Sequence, residues 1–143
     1  MIRTSLAACA ALMACAPAMG EKANLLPGEW TYTMGFEANG MSNSNSNTDC
    51  MSAAEANMDT KALVAGFAGG ADCTSYVVNQ GPGSITFDMS CPSTESIRSA
   101  RLTMNYQRTK FTISGPVTLN LGDGKTLKAA FETKARYLGA CPE

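Results

Sequence analysis

Apolar and polar residues alternate with period two along most of the chain. In 30–37, Trp30, Tyr32, Met34 and Phe36 share one face, with Thr31, Thr33 and Gly35 opposite. In 84–91, Ile85, Phe87, Met89 and Cys91 stand against Thr86, Asp88 and Ser90. Leu102, Met104 and Tyr106 alternate with Arg101, Thr103, Asn105 and Gln107. Phe111 and Ile113 continue the pattern, with Lys110, Thr112 and Ser114 facing the other way. Val117, Leu119 and Leu121 alternate with Thr118 and Asn120. The longest run sets Leu127, Ala129, Phe131, Thr133, Ala135 and Tyr137 against Lys128, Ala130, Glu132, Lys134 and Arg136. Antiparallel strands with one buried and one wet face produce this pattern. Residues 73–78 (CTSYVV) add a further β-rich run.

Turn chemistry falls between the runs. Asn39-Gly40 and Asp123-Gly124 are two-residue hairpin signals, because both central positions of the favoured turn need positive φ. Asn79-Gln80-Gly81-Pro82-Gly83 supplies another connection. Gly115-Pro116 predicts a bend or bulge between a run ending at Ser114 and one starting at Val117. Residues 42–48 (SNSNSNT) are polar and locally repetitive, and composition predicts a solvated, mobile loop. One helical stretch is visible. Ser52 and Glu55 have capping-box spacing, helix formers follow through Phe67, Asp59 offers a second start, and Gly69-Gly70 ends it. Leu63, Val64 and Phe67 are the positions expected to pack on the sheet. The predicted fold is all-β, mainly antiparallel, with about seven strands in a curved sheet or half-barrel and one helix-bearing loop.

The first twenty residues stand apart. Arg3 is followed by an uncharged apolar run from Leu6 to Cys15 and then by small residues, the order of a secretory leader. The run is shorter than the roughly 20 residues a spanning helix needs. Two cuts compete. Ala18-Met19-Gly20 places small residues for an ordinary signal peptidase, giving a mature start at Glu21. Leu12-Met13-Ala14-Cys15 resembles a bacterial lipobox, which would make Cys15 the lipidated first residue. Residues 1–20 are thus expected to be a signal peptide and 21–143 a single domain of about 120 residues, enough for one modest core. Its 45% hydrophobic and 16% charged residues describe a globular chain. A net charge of -1 argues against nucleic-acid binding. Histidine is absent, which removes His-based catalytic triads, His-ligated metals and imidazole switches.

Cys50, Cys73, Cys91 and Cys141 follow the leader. An even set in an exported small domain reads as a disulfide framework. Three connectivities are open, and Cys50–Cys73 with Cys91–Cys141 is the preferred pair, stapling the helical loop to the sheet and the last strand to a central one. Each closure is worth roughly 3–4 kcal/mol in the chain-entropy model. The cysteines are separated by 22, 17 and 49 residues with no CxxC, which argues against zinc or redox chemistry.

Other candidate chemistry is sparse. The preferred pairing would bring Asp49 and Asp72 together as a coupled acid pair or weak cation site, against the plainer reading of two solvated loop charges. Gly122-Asp123-Gly124-Lys125-Thr126 ends like a phosphate loop, but its leading glycine would fall at Leu119, so it is a hairpin turn. Met34, Met89 and Met104 take inward positions and read as core filling. Met41, Met51 and Met58 lie near the polar run and helix, and soft-metal storage by thioethers is a remote alternative. Charge is uneven: residues 21–97 carry Lys22 and Lys61 against nine acids, whereas 98–136 hold eight cations and two acids. Arg101, Lys110, Lys128, Lys134 and Arg136 share outward parity, predicting one basic face able to attract anionic groups, or simply a solvated one.

Several landmarks together resemble the domain of unknown function 3617 family of exported bacterial proteins. Leu26-Pro27-Gly28-Glu29-Trp30-Thr31 is similar to its opening, and Cys50 followed by Met51-Ser52-Ala53-Ala54-Glu55 resembles its step from a cysteine into a helix. Ile85-Thr86-Phe87-Asp88-Met89-Ser90-Cys91 resembles its strand ending in cysteine. Arg136-Tyr137-Leu138-Gly139-Ala140-Cys141-Pro142 resembles its close. The order and spacing span nearly the whole chain after the leader. The Met/Pro-rich insertion common after the first strand is here an Asn/Ser run. The resemblance implies a small envelope protein, some relatives bearing lipoboxes, with no activity and no catalytic residues to carry over.

These readings lead to an exported, non-enzymatic binding or structural domain of the Gram-negative periplasm or envelope, soluble or tethered as an outer-membrane lipoprotein. No cofactor or metal is expected, and membrane contact is expected only through a lipid anchor. The partner is left open between an anionic envelope component and an apolar ligand. The rival reading is a carrier of an apolar ligand or lipid in a helix-covered half-barrel. A carboxylate-based enzyme stands third.

Overall fold

The structure, a computed structural model, describes residues 22–67, 72–92 and 94–143, with the side chains of 64–67 outside that set. The leader, its two cleavage readings and Cys15 lie outside the described residues, as do the side chains of Val64 and Phe67. Seven antiparallel strands form one open sheet in the order β2-β1-β7-β6-β5-β4-β3. They are β1 (Gly28–Ala38), β2 (Met41–Met51), β3 (Thr74–Gly81), β4 (Ser84–Ser90), β5 (Ile97–Gln107), β6 (Lys110–Gly122) and β7 (Lys125–Gly139). Hairpins join every sequential pair except β2 and β3, and β7 returns beside β1. The connection from β2 to β3 therefore runs from one edge of the sheet to the other, carrying α1 (Ala53–Ala56) and α2 (Thr60–Phe67).

The alternation becomes burial. Ile85, Phe87, Met89, Leu102, Met104, Phe111, Ile113, Val117, Phe131 and Ala135 are buried on one face. Register places Phe87 opposite Leu102, Met104 opposite Ile113 and Phe111 opposite Ala135, so these side chains meet across neighbouring strands. Trp30 is 0% exposed and anchors the β1 side. Its indole N–H donates to the Leu26 carbonyl at 2.8 Å, and its ring packs against Phe111 and Tyr137. Asn39 and Gly40 have φ of 53° and 75°, and Asp123 and Gly124 have 52° and 73°, the left-handed pairs that tight hairpins demand.

Three expectations change. Residues 42–48 are not a loop. They lie inside β2, paired with β1 at every position from Gly28↔Met51 to Ala38↔Met41. An edge strand with both faces wet shows no apolar alternation; the Asn39-Gly40 turn and backbone pairing impose it instead. Gly115-Pro116 does not divide two strands either. β6 is continuous, but the β5–β6 ladder, in one register on both sides, has no pairs between Ala100↔Val117 and Thr103↔Ser114. Pro116 thus supplies no N–H at a position where that ladder is interrupted. A Cβ at Gly115 would collide with the Arg101 carbonyl, so glycine permits the close approach. Met34, expected in the core, is 46% exposed because the core thins toward the β2 edge.

The disulfide pairing is also corrected. Cys50 bonds Cys141, and Cys73 bonds Cys91. Strand order explains both. Thr74 pairs with Ser90, so Cys73 and Cys91 extend the β3–β4 ladder by one residue, with Cα atoms 4.1 Å apart. At the other end Glu29 lies between Cys50 and Gly139, so the end of β2 and the tail after β7 reach each other across β1. The chain-entropy model gives about 3 kcal/mol for a loop of this shorter size and about 5 for the longer; the separations are 18 and 91 residues.

The predicted helical stretch divides in two. The Ser52 hydroxyl accepts from the Glu55 N–H at 3.2 Å, while the Glu55 carboxylate accepts from the Ser52 N–H at 2.7 Å, completing the capping box. Asp59 starts α2 by accepting from the Lys61 N–H at 2.8 Å. Backbone bonds from Ala23 to Met58 and from Leu25 to Ala56 tie the N-terminal segment along this connection. No helix among the described residues is long and apolar enough to cross a membrane.

Candidate functional site

The helical connection stands over the buried face of the sheet and leaves a cavity of about 360 Å³ beneath it. Phe87 of β4, Met104 of β5 and Phe111 and Ile113 of β6 form its floor. Leu63 of α2, Met58 and Leu25 form the opposite wall. Tyr32 of β1 and the end of β2, with Asp49, Cys50 and Met51, close the side toward the sheet edge. Each floor residue faces inward because it holds the buried parity of its strand. Cys50 lies in the wall, so the Cys50–Cys141 disulfide fixes one border of the cavity.

Polar groups gather at the rim. Asp49 and Glu55 line the cavity with the Tyr32 ring. Both carboxylates are exposed, and each already accepts one backbone N–H: Asp49 from Cys50 at 2.8 Å, Glu55 from Ser52. These Ser52 bonds hold the Glu55 carboxyl below the usual carboxylate range. Tyr32 titrates above an ordinary phenol because of its partial burial first, then the negative charges of Asp49 and Glu55. Among the described residues, no Lys or Arg lines the cavity. The arrangement offers dispersion contacts, thioether flexibility from Met51, Met58 and Met104, and a negatively biased rim.

The anticipated acid pair is not assembled. Asp49 neighbours Tyr32 and Glu55, whereas Asp72 precedes Cys73 beside the β3–β4 ladder, because the two cysteines belong to different bridges. The five outward cations are all exposed, on the face opposite the cavity. Lys110 lies opposite Arg136, and Lys134 is the next outward residue on β7, so three cluster. Arg101 is engaged elsewhere: its Nε and one terminal nitrogen bind the Asp88 carboxylate at 2.6 and 2.7 Å, and Tyr76 donates to the same carboxylate at 3.1 Å. Lys128 faces Thr118, away from the trio. Lys134 also approaches Glu132 at 3.3 Å. The basic face is thus partly neutralised by its own acids. Tyr32, Leu25 and Glu55 were not legible as site residues; inward parity and the capping box marked the positions of two, but not the space between them.

Fold and cavity together define a small disulfide-stapled antiparallel sheet domain with an apolar site under its one cross-sheet connection. The chain belongs to the family described as Protein of unknown function (DUF3617), whose model matches residues 25–141. The match thus runs from the cavity wall at Leu25 to the last bridged cysteine. No curated protein and no solved structure matches the chain.

Proposed function

We propose that this protein is a non-enzymatic binding domain of the bacterial envelope that holds an apolar ligand, such as a lipid chain, in the cavity beneath α1 and α2. The observation that carries the reading is the 360 Å³ space walled by Phe87, Met104, Phe111, Ile113 and Leu63, within the size range of small-molecule sites. A packed core of this size would normally be filled. The rim refines the ligand. Asp49, Glu55 and the Tyr32 hydroxyl favour a neutral or cationic polar end over a carboxylate. Export is supported by the leader pattern and by two disulfides in a small domain. The non-enzymatic reading rests on the lack of histidine and on rim carboxylates committed to backbone amides.

Native mass spectrometry of protein purified with its own leader from an oxidising compartment tests the proposal. The expected result is a bound apolar species that is lost when Leu63→Trp fills the cavity. Only ligand-free mass, from wild type isolated without detergent, would overturn it.

A further inference from the structure

The sheet has two edges, and they are built differently. β3 carries a bulge between Val77 and Asn79, and α2 packs against it, with the Gln80 side chain donating to Thr60 at 2.8 Å. β2 has neither device. It pairs with β1 without a register shift, and every residue from Met41 to Cys50 is exposed. The stretch Met41–Thr48 contains no charge and no proline. Because hydrogen-bonded and non-bonded pairs alternate in an antiparallel ladder, every second residue of β2 turns its N–H and C=O away from β1. Lysines, prolines, bulges or covering elements usually blunt such an edge.

We propose that β2 is the pairing edge for a second copy of this chain, joining two seven-stranded sheets through an antiparallel β2–β2 junction. The side chains support a self-pairing. Ser42, Ser44 and Ser46 fall on one face and Asn43, Asn45 and Asn47 on the other. A two-fold axis perpendicular to the sheet brings together residues of equal parity, so serine meets serine and asparagine meets asparagine. Each of these groups both donates and accepts, so cross-junction pairs are satisfied in more than one register. Charge permits the pairing too. Asp49 is the one charge in β2 and sits near its end, so antiparallel pairing sends the two copies of Asp49 to opposite ends of the junction. The guarded β3 edge completes the argument. Two open edges would propagate a filament, whereas one open edge closes at two copies.

Sedimentation equilibrium of the oxidised protein from micromolar to millimolar concentration tests this. A monomer–dimer equilibrium is expected. Ser44→Lys with Ser46→Lys sets like charges across the junction and is expected to weaken it at least roughly tenfold, a shift of about 1.4 kcal/mol. Asn105→Lys with Gln107→Lys, on the exposed face of β5, should leave the dimer unchanged. Far-UV circular dichroism checks folding, and Asn45→Lys is the replacement if the double variant does not fold. A monomer throughout, a dimer that survives the β2 lysines, or assembly beyond two copies would each overturn the proposal.

Discussion

The two faces of this sheet are made from alternate residues of the same strands, yet they place opposite demands on the sequence. The inner face is a set of interlocking shapes. Trp30 meets Phe111 and Tyr137, Phe36 meets Phe131, and the floor of the cavity is laid by β4, β5 and β6. The outer face is a lawn of hydroxyls and charges, with Thr86 bonded to Thr103 at 2.9 Å and Arg101 to Asp88. Shape on the first face is specific, and exchange on the second is cheap, because water replaces whatever is removed. Stability and ligand binding are therefore expected to reside on the inner face. Part of the charge imbalance between the two halves of the sequence becomes a difference of place, with Asp49 and Glu55 at the cavity rim and Lys110, Lys134 and Arg136 across the sheet.

The largest expected effect comes from Trp30→Ala. It empties a fully buried site and leaves the Leu26 carbonyl without its donor, at a cost of roughly 3–5 kcal/mol in urea unfolding. A smaller effect of opposite sign is expected at Thr133. Its hydroxyl is buried on the inner face with no hydrogen-bond partner among the described residues, next to Ile113 and Met34 in register. Thr133→Val keeps the shape and removes the desolvated group, so it should stabilise by about 1 kcal/mol. A loss of stability on this change would mean that the hydroxyl is satisfied in solution.

The smallest effect is expected on the outer face. Arg101→Ala breaks an exposed ion pair that water already screens, and should leave the urea unfolding midpoint nearly unchanged. Its signature is in titration. Arg101 hydrogen bonds hold the Asp88 carboxyl below its ordinary value against an opposing desolvation effect, and the Tyr76 hydroxyl adds a lesser lowering. A carboxylate with a depressed folded pKa adds stability above its unfolded pKa and loses it as pH falls through the folded one. Carbon-detected titration should therefore show Asp88 protonating below the ordinary aspartate value on acidification, and moving up in Arg101→Ala. An unchanged Asp88 would indicate that the pair is open in solution.

The sequence makes some of this legible and hides the rest for physical reasons. Inward parity at Ile85, Phe87, Leu102, Met104 and Phe131 foretells the core, because period-two alternation is the direct consequence of a half-buried sheet. The hairpin residues Asn39, Gly40, Asp123 and Gly124 are equally direct, since left-handed backbone has few takers. β2 was hidden because an edge strand wet on both faces needs no apolar positions. The disulfide partners were hidden because they depend on β7 lying beside β1, a pairing between distant parts of the chain that no local pattern encodes. The cavity was hidden for a third reason. Its floor is visible as parity, but its volume depends on how far the connection bearing Met58 and Leu63 stands off the sheet.

The most direct test of the inner-face account is a fluorescence titration of the oxidised protein with N-phenyl-1-naphthylamine, an uncharged apolar probe. The account predicts saturable binding at one site, weakened at least roughly tenfold by Leu63→Trp, and unaltered by the outer-face double variant Lys110→Glu with Lys134→Glu. Absence of saturable binding, or binding that follows the outer-face charges and ignores Leu63, would contradict it.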